Sequence, residues 1–229
     1  MRYGGWERMQ EVDLLGDTKA HPVKCAQCEA ELTSPMVCEG CHTLYPAATG
    51  RDHFELLGFP PSYSIDEERL DSAYRALARN VHPDRFTADG ADALCVAVRL
   101  SAALNQAFAV LRDPLRRADY LLELSGGPSA SAVRDVPGTF LADVMLLREE
   151  IDGAKTSGDA ATLARLRDSL VERRATTAAQ IRDTASKLPD VGDPARTELR
   201  RLLNSMKYIN NLLSETATDP LASAESRLS

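Results

Sequence analysis

The chain has 229 residues, enough for one large or two small hydrophobic cores. Its formal net charge of -7 and pI near 5.2 argue against a general nucleic-acid binder, which carries a basic excess. Aromatic residues make up only 5%, Leu, Ala, Arg, Asp and Glu dominate, and no run approaches 18 consecutive apolar residues, so the expectation is an all-α protein with no membrane-crossing segment.

Residues 1–20 carry Glu7, Glu11, Asp13 and Asp17 and lack an apolar signal core. They are predicted to be flexible and untargeted, which places the chain in the cytoplasm, with the mitochondrial matrix as the alternative. Residues 21–50 hold "CAQC" (25–28) and "CEGC" (38–41), two CxxC pairs separated by nine residues. A reducing compartment and clustered cysteines favour metal over disulfides. Each pair can form a knuckle whose thiolates converge, so Cys25, Cys28, Cys38 and Cys41 can surround one tetrahedral ion. An iron–sulfur cluster would also accept four thiolates, but zinc suits closed four-thiolate knuckles and implies no redox partner. A dithiol redox centre would want a strand-to-helix context, which is missing from this stretch. His42 adjoins Cys41 and is read as pointing away from the ion, and Cys95 as a small buried apolar residue.

Residues 51–125 read as helical with one sharp interruption. A short helix from Asp52 to Leu57 closes at Gly58, and "SIDE" (64–67) fits a capping box with Ser64 as cap. The next helix aligns Leu70, Tyr74, Leu77 and Val81, and Pro83 stops it. A second long helix runs from about Asp92 to Arg112, so the two form an antiparallel hairpin with "HPD" (82–84) at its tip. By itself HPD is an ordinary turn. With Arg75 and Arg79 one turn apart on the preceding helix and Arg85 just after the tip, it becomes an electrostatic docking surface for an acidic partner.

"GGPSASAVRDVPG" (126–138) reads as a linker. Helices near 139–155, 160–188 and 194–215 follow, the second capped by Asp159 and the third started by Pro194, and they predict a three-helix bundle. The tail 216–229 is expected to be disordered. In "TFLADVMLLREEID" (139–152), Phe140, Val144, Leu147 and Ile151 form one core stripe. Leu141, Met145 and Leu146 lie off that stripe, where they are either a wider core or a surface for a partner.

"DHFELLGFPPSYSIDEERLDSAYRALARNVHPDRF" resembles a J domain, and "LNQAFAVLRDPLRRADYLLELSG" followed by "LLREEID" narrows the resemblance to the HscB family of J-domain co-chaperones in iron–sulfur cluster assembly. It covers roughly residues 51–215. By that resemblance His82, Pro83 and Asp84, with Arg75, Arg79 and Arg85, would contact a DnaK/HscA-type ATPase chaperone and stimulate its ATP hydrolysis. Arg85 stands where similar proteins often have lysine, which keeps the charge. Leu141, Ala142, Met145, Leu146 and Glu149, with Lys207 and Tyr208 on the last helix, would bind an IscU-type scaffold protein. Here Ala142 replaces a typical methionine and Leu146 an acid. Some members carry an N-terminal tetracysteine module.

The expectation is therefore an all-α co-chaperone with a tetracysteine zinc knuckle module (21–50), a J domain (51–125) and a C-terminal three-helix bundle (139–215). It would act as a monomer, touch neither nucleic acid nor membrane, and have no active site, since neither a nucleophile–base pair nor a Gly-rich phosphate loop stands out. The rivals are a general J-domain co-chaperone for unfolded clients and a thiol redox enzyme.

Overall fold

A computed structural model of the chain describes residues 24–133, 136, 140–188 and 190–217. The predictions for residues 1–20 and for most of the tail lie outside these. The described residues hold seven α-helices and no named strand: α1 His53–Leu57, α2 Glu67–Asn80, α3 Ala91–Arg112, α4 Pro114–Leu124, α5 Phe140–Ser157, α6 Ala160–Ala185 and α7 Asp193–Glu215. The all-α expectation holds. The chain divides into two compact units, the first ending at Arg112 and the second beginning at Asp113, with Ser62–Ser64 joining the second.

In the first unit, Asp52 caps α1 by accepting from the Glu55 amide at 2.9 Å, and Gly58 closes it at φ 73, a left-handed conformation that glycine adopts without steric cost. The start of α2 differs from expectation. Asp66, not Ser64, is the cap, accepting from the Arg69 amide at 3.0 Å. Ser64 is instead engaged with Ser62, whose hydroxyl both accepts from its amide and donates to its carbonyl. A carboxylate at the positive end of the helix supplies a charge-assisted bond that a serine two residues earlier does not match. The helix ends at Asn80, before His82 and Pro83, as the proline demands.

The hairpin core is built by α3 on α1 and α2. Ala97, Leu100, Leu104, Ala107 and Leu111 of α3 are fully buried, facing Phe54, Leu56, Leu57 and Leu70. Tyr74 stacks on Phe108 with ring centroids 4.0 Å apart and donates its hydroxyl to Asn105. By length and composition α3 would suffice to cross a membrane, although it holds no unbroken run of 18 apolar residues. Within this unit its apolar side is the core of the hairpin. Cys95 is exposed rather than buried, because it sits on the outer side of that helix.

Among the described residues, the second unit holds the three expected helices α5, α6 and α7, and α4 packs with them. Asp113 caps α4 through the Leu115 and Arg116 amides, Pro114 takes its first turn, and α4 packs on α6 and α7. The sequence boundary at 125 and the packing boundary at 112 differ for this reason: apolar periodicity shows that α4 has a buried face but not which neighbours bury it. The core joins Val144, Ile151, Leu166, Leu170 and Leu212, with Phe140, Leu147, Leu163, Tyr208 and Leu213 against it. Asp159 caps α6 and Pro194 opens α7, as expected.

Arg200 on α7 is buried, pairing its guanidinium with Asp119 of α4 and donating Nε–H to the Pro128 carbonyl at 2.8 Å. Asn204, one turn on, donates to the Val133 carbonyl at 2.9 Å. The described part of the expected linker is thus tied to α7 by side chains that satisfy its backbone carbonyls. Gly127 is required here, since a Cβ would come within 2.2 Å of Leu122 Cδ1. Replacing Arg200 by alanine should lower the stability of this unit by about 2–4 kcal/mol, because it removes a buried guanidinium with its bond to the part-exposed Asp119 and leaves a carbonyl unsatisfied. Replacing neighbouring Arg201, whose ion pair with Glu198 is at the surface, should cost less than about 1 kcal/mol. Denaturant melts of the two variants compare them.

Candidate functional site

The cysteine module is two copies of one turn. Cys25 donates its amide to the Ala30 carbonyl and the Glu29 amide reaches back to Cys25. In the second copy Cys38 pairs with Thr43 and the His42 amide with Cys38. Isolated antiparallel bridges close each copy, Lys24 with Glu31 and Val37 with Leu44. The residue after each second cysteine, Glu29 or His42, takes a left-handed φ of 59 or 60. This is knuckle geometry, not the strand-to-helix setting of a redox dithiol.

The two knuckles face each other. Cys25 Sγ lies 3.5 Å from Cys41 Sγ, and Cys28 Sγ lies 3.6 Å from Cys38 Sγ. All four sulfurs fall within 4.8 Å of one another. Metal–thiolate bonds of about 2.3 Å put the corners of a tetrahedron about 3.8 Å apart, so this donor set fits one ion with little adjustment. The electrostatics agree. The Tyr45 hydroxyl, with the Gln27 and Cys28 amides, pulls Cys25 down to about 5, and Thr43 lowers Cys41 through its hydroxyl and its amide. The Ala30 amide also lowers Cys28, but the neighbouring sulfur of Cys41, burial, and the sulfurs of Cys38 and Cys25 drive it up to about 12. Four sulfurs this close cannot all ionise without a cation among them. His42 is outside the sulfur set, as expected, and its ring faces Arg85.

The HPD loop is held from both sides. Val81 before it is fully buried and Phe86 after it nearly so, and the Ser101 hydroxyl donates to the Val81 carbonyl at 3.0 Å. Between these anchors Pro83–Phe86 form a single 3-10 turn capped by His82, whose Nδ1 accepts from the Asp84 amide at 3.2 Å. An amide can only donate, so Nδ1 is the acceptor in this bond. The His82 and Asp84 side chains are 57% and 86% exposed. Arg75, Arg79 and Arg85 are exposed as well. The loop that the sequence singled out is thus anchored at both ends with a polar tip, and the three arginines singled out with it are exposed.

On α5, Val144 and Ile151 are buried and Leu147 half-buried, while Leu141, Met145 and Leu146 are 51%, 62% and 59% exposed. The wider-core alternative does not hold: the bundle closes without these three. Ala142 and Glu149 are exposed on the same helix and Lys207 on α7. Tyr208 is half-buried, its ring edge-on to Phe140 at 6.2 Å, so it is partly a core residue. Arg148 clamps α5 to α7 by bonding both carboxylate oxygens of Glu215, at 2.7 and 3.2 Å. Apolar periodicity did not reveal that clamp, because both partners are charged residues flanking the buried stripes.

The family model of the DnaJ domain matches residues 52–120, and that of the HSCB C-terminal oligomerisation domain matches residues 136–217. These two regions, joined in one chain, define a J-domain co-chaperone with a dedicated C-terminal domain. The chain belongs to the HscB family. It is 37% identical to the Co-chaperone protein HscB homolog of Burkholderia thailandensis over 69% of this chain and 89% of that protein. It is 38% identical to Co-chaperone protein HscB of Proteus mirabilis over 49% of this chain and 65% of that one. Among solved structures, chaperone HscB from Vibrio cholerae superposes with a TM-score of 0.61 at 28% identity, over 78% of this chain and all of that one. Human co-chaperone protein HscB superposes with a TM-score of 0.67 at 23% identity, over 84% of this chain and 96% of that one, a likeness of fold.

The knuckle geometry predicts one tetrahedral ion per chain by elemental analysis. Changing Cys28 to serine should abolish it and make residues 24–45 protease-sensitive, since so small a core depends on the ion, while the helical signal of the rest persists. Acidification should release the ion as the thiolates protonate.

Proposed function

We propose that the chain is a co-chaperone of iron–sulfur cluster assembly. It stimulates the ATPase of a DnaK/HscA-type chaperone through the HPD loop and brings to it an IscU-type scaffold protein, promoting cluster transfer. The tetracysteine site holds one structural zinc ion, and the chain itself turns over no substrate. The observation that carries the reading is the HPD turn, with His82 and Asp84 exposed between the buried Val81 and Phe86, in a chain of the HscB family.

The chemistry of stimulation follows from that geometry. His82 offers an exposed imidazole, Asp84 an exposed acceptor beside it, and Arg75, Arg79 and Arg85 a positive field that draws an acidic surface. Because the loop is already ordered, little conformational entropy is lost when a partner grips it. For the scaffold, Leu141 and Met145 stand one turn apart with Leu146 adjoining, an apolar patch in an otherwise charged helix. Leu146 makes up for apolar area that the small Ala142 does not supply. Glu149, Lys207 and Tyr208 would provide polar and aromatic contacts at its edge. A general J-domain co-chaperone would have no use for so defined a patch.

His82→Gln should abolish stimulation of the chaperone's ATPase while the melting temperature stays within a few degrees, since the side chain is exposed. Arg75→Glu with Arg79→Glu should weaken stimulation and flatten its dependence on salt. Leu141→Ala with Met145→Ala should weaken scaffold binding at least about tenfold in calorimetry and leave stimulation without scaffold intact. Unchanged scaffold affinity would refute the patch, and normal stimulation by folded His82→Gln protein would refute the J-domain mechanism.

A further inference from the structure

The second cysteine knuckle meets the HPD loop at both of its ends. Glu39, between Cys38 and Gly40, accepts from the Asn80 side-chain amide at 3.4 Å, and Asn80 is the last residue of α2. The His42 ring lies against the Arg85 guanidinium, one nitrogen of which sits 3.3 Å from Nδ1 and 3.2 Å from Nε2. Residues 80 and 85 bracket the loop and residues 39 and 42 bracket the turn of the knuckle. Beneath these contacts Leu44 and Pro46 line a shared groove with Phe86, Ala93 and Val96, and the short 3-10 turn at Pro46–Gly50 packs on α3. In the first knuckle, built on the same backbone plan, the equivalent of His42 is Glu29.

We propose that Glu39 and His42 are positioning residues for the HPD loop, so that the knuckle module works as a splint that sets how well the loop engages the ATPase chaperone. The cause is geometric. His42 owes its direction to the left-handed backbone that the knuckle imposes, φ 60, and to its amide bond with the Cys38 carbonyl. A folded second knuckle therefore aims this ring at Arg85, one of the cations beside the tip. With Asn80 and Arg85 both engaged, the loop's exit from α2 and its return are fixed by contacts additional to Val81 and Phe86. A loop so restrained loses less freedom on binding, and affinity rises for that reason. The inference rests on the J-domain reading above, and its test separates the two.

The test uses the full-length chain with its metal. Glu39→Ala combined with His42→Gly removes both contacts, glycine being chosen because position 42 has a positive φ. Asn80→Ala removes one contact from the side of the loop that is remote from the cysteines. Metal content of one ion per chain shows that the knuckles remain closed. We expect the concentration for half-maximal ATPase stimulation to rise about three- to tenfold in the double variant and less in Asn80→Ala, with maximal stimulation nearly unchanged. Amide exchange at residues 82–86 should quicken in both. Glu39→Gln with His42→Asn keeps an acceptor at each place and should restore both readouts. Wild-type values in the double variant and in Asn80→Ala would overturn the splint. If His82→Gln stimulates as well as wild type, the J-domain reading fails, and exchange at 82–86 still decides the splint. Should the double variant lose its metal, Asn80→Ala alone decides it.

Discussion

The arrangement of the first unit depends on two side chains, Val81 and Phe86, that bury themselves on either side of a turn only four residues long between them. Burying an apolar side chain of this size contributes roughly 1.5–3 kcal/mol, so both ends of the loop are held firmly. What lies between has nowhere to go but outward. Pro83 keeps α2 from continuing, His82 Nδ1 caps the turn through the Asp84 amide, and the two polar side chains stand in solvent. A tip that is both polar and rigid is expensive to build unless it is used. Here the hairpin of α2 and α3 supplies the rigidity, and the exposed arginines supply the field around it.

The same division between anchoring and presenting recurs on α5. Val144 and Ile151 bury one face, Arg148 fastens the helix to Glu215 of α7, and Leu141, Met145 and Leu146 are left exposed on the other. Large apolar residues at half or more exposure oppose stability and solubility, so a use for them is the simplest account of their presence. Below this, Arg200 and Asn204 of α7 hold the carbonyls of Pro128 and Val133, which makes a stretch with linker composition part of the folded unit.

Much of this was legible in the sequence where the deciding physics is local. Gly58, Asp159 and Pro194 mark helix ends for reasons of backbone conformation and capping, and each does so in the structure. The two CxxC pairs read as knuckles because their spacing alone closes the turns. The start of α2 was misread because two capping residues, Ser64 and Asp66, stand two positions apart and only their competition for amides decides between them. The allegiance of α4 was illegible, since its stripe of Ala118, Leu121 and Leu122 would suit either unit. Cys95 was misplaced because an alanine-rich helix gives weak contrast between faces. The contacts of Glu39 with Asn80 and of His42 with Arg85 join residues more than forty positions apart, and no periodicity encodes them.

The central claim is that one chain couples a J-type ATPase stimulus to a specific client, and single-turnover ATP hydrolysis by a DnaK/HscA-type chaperone tests it most directly. Rates are measured with the chain alone, with an IscU-type scaffold alone, and with both. The account predicts acceleration by the chain alone and a greater-than-additive acceleration when the scaffold is present, because the α5 patch raises the scaffold's effective concentration at the chaperone. Acceleration of the same size with and without scaffold would contradict it.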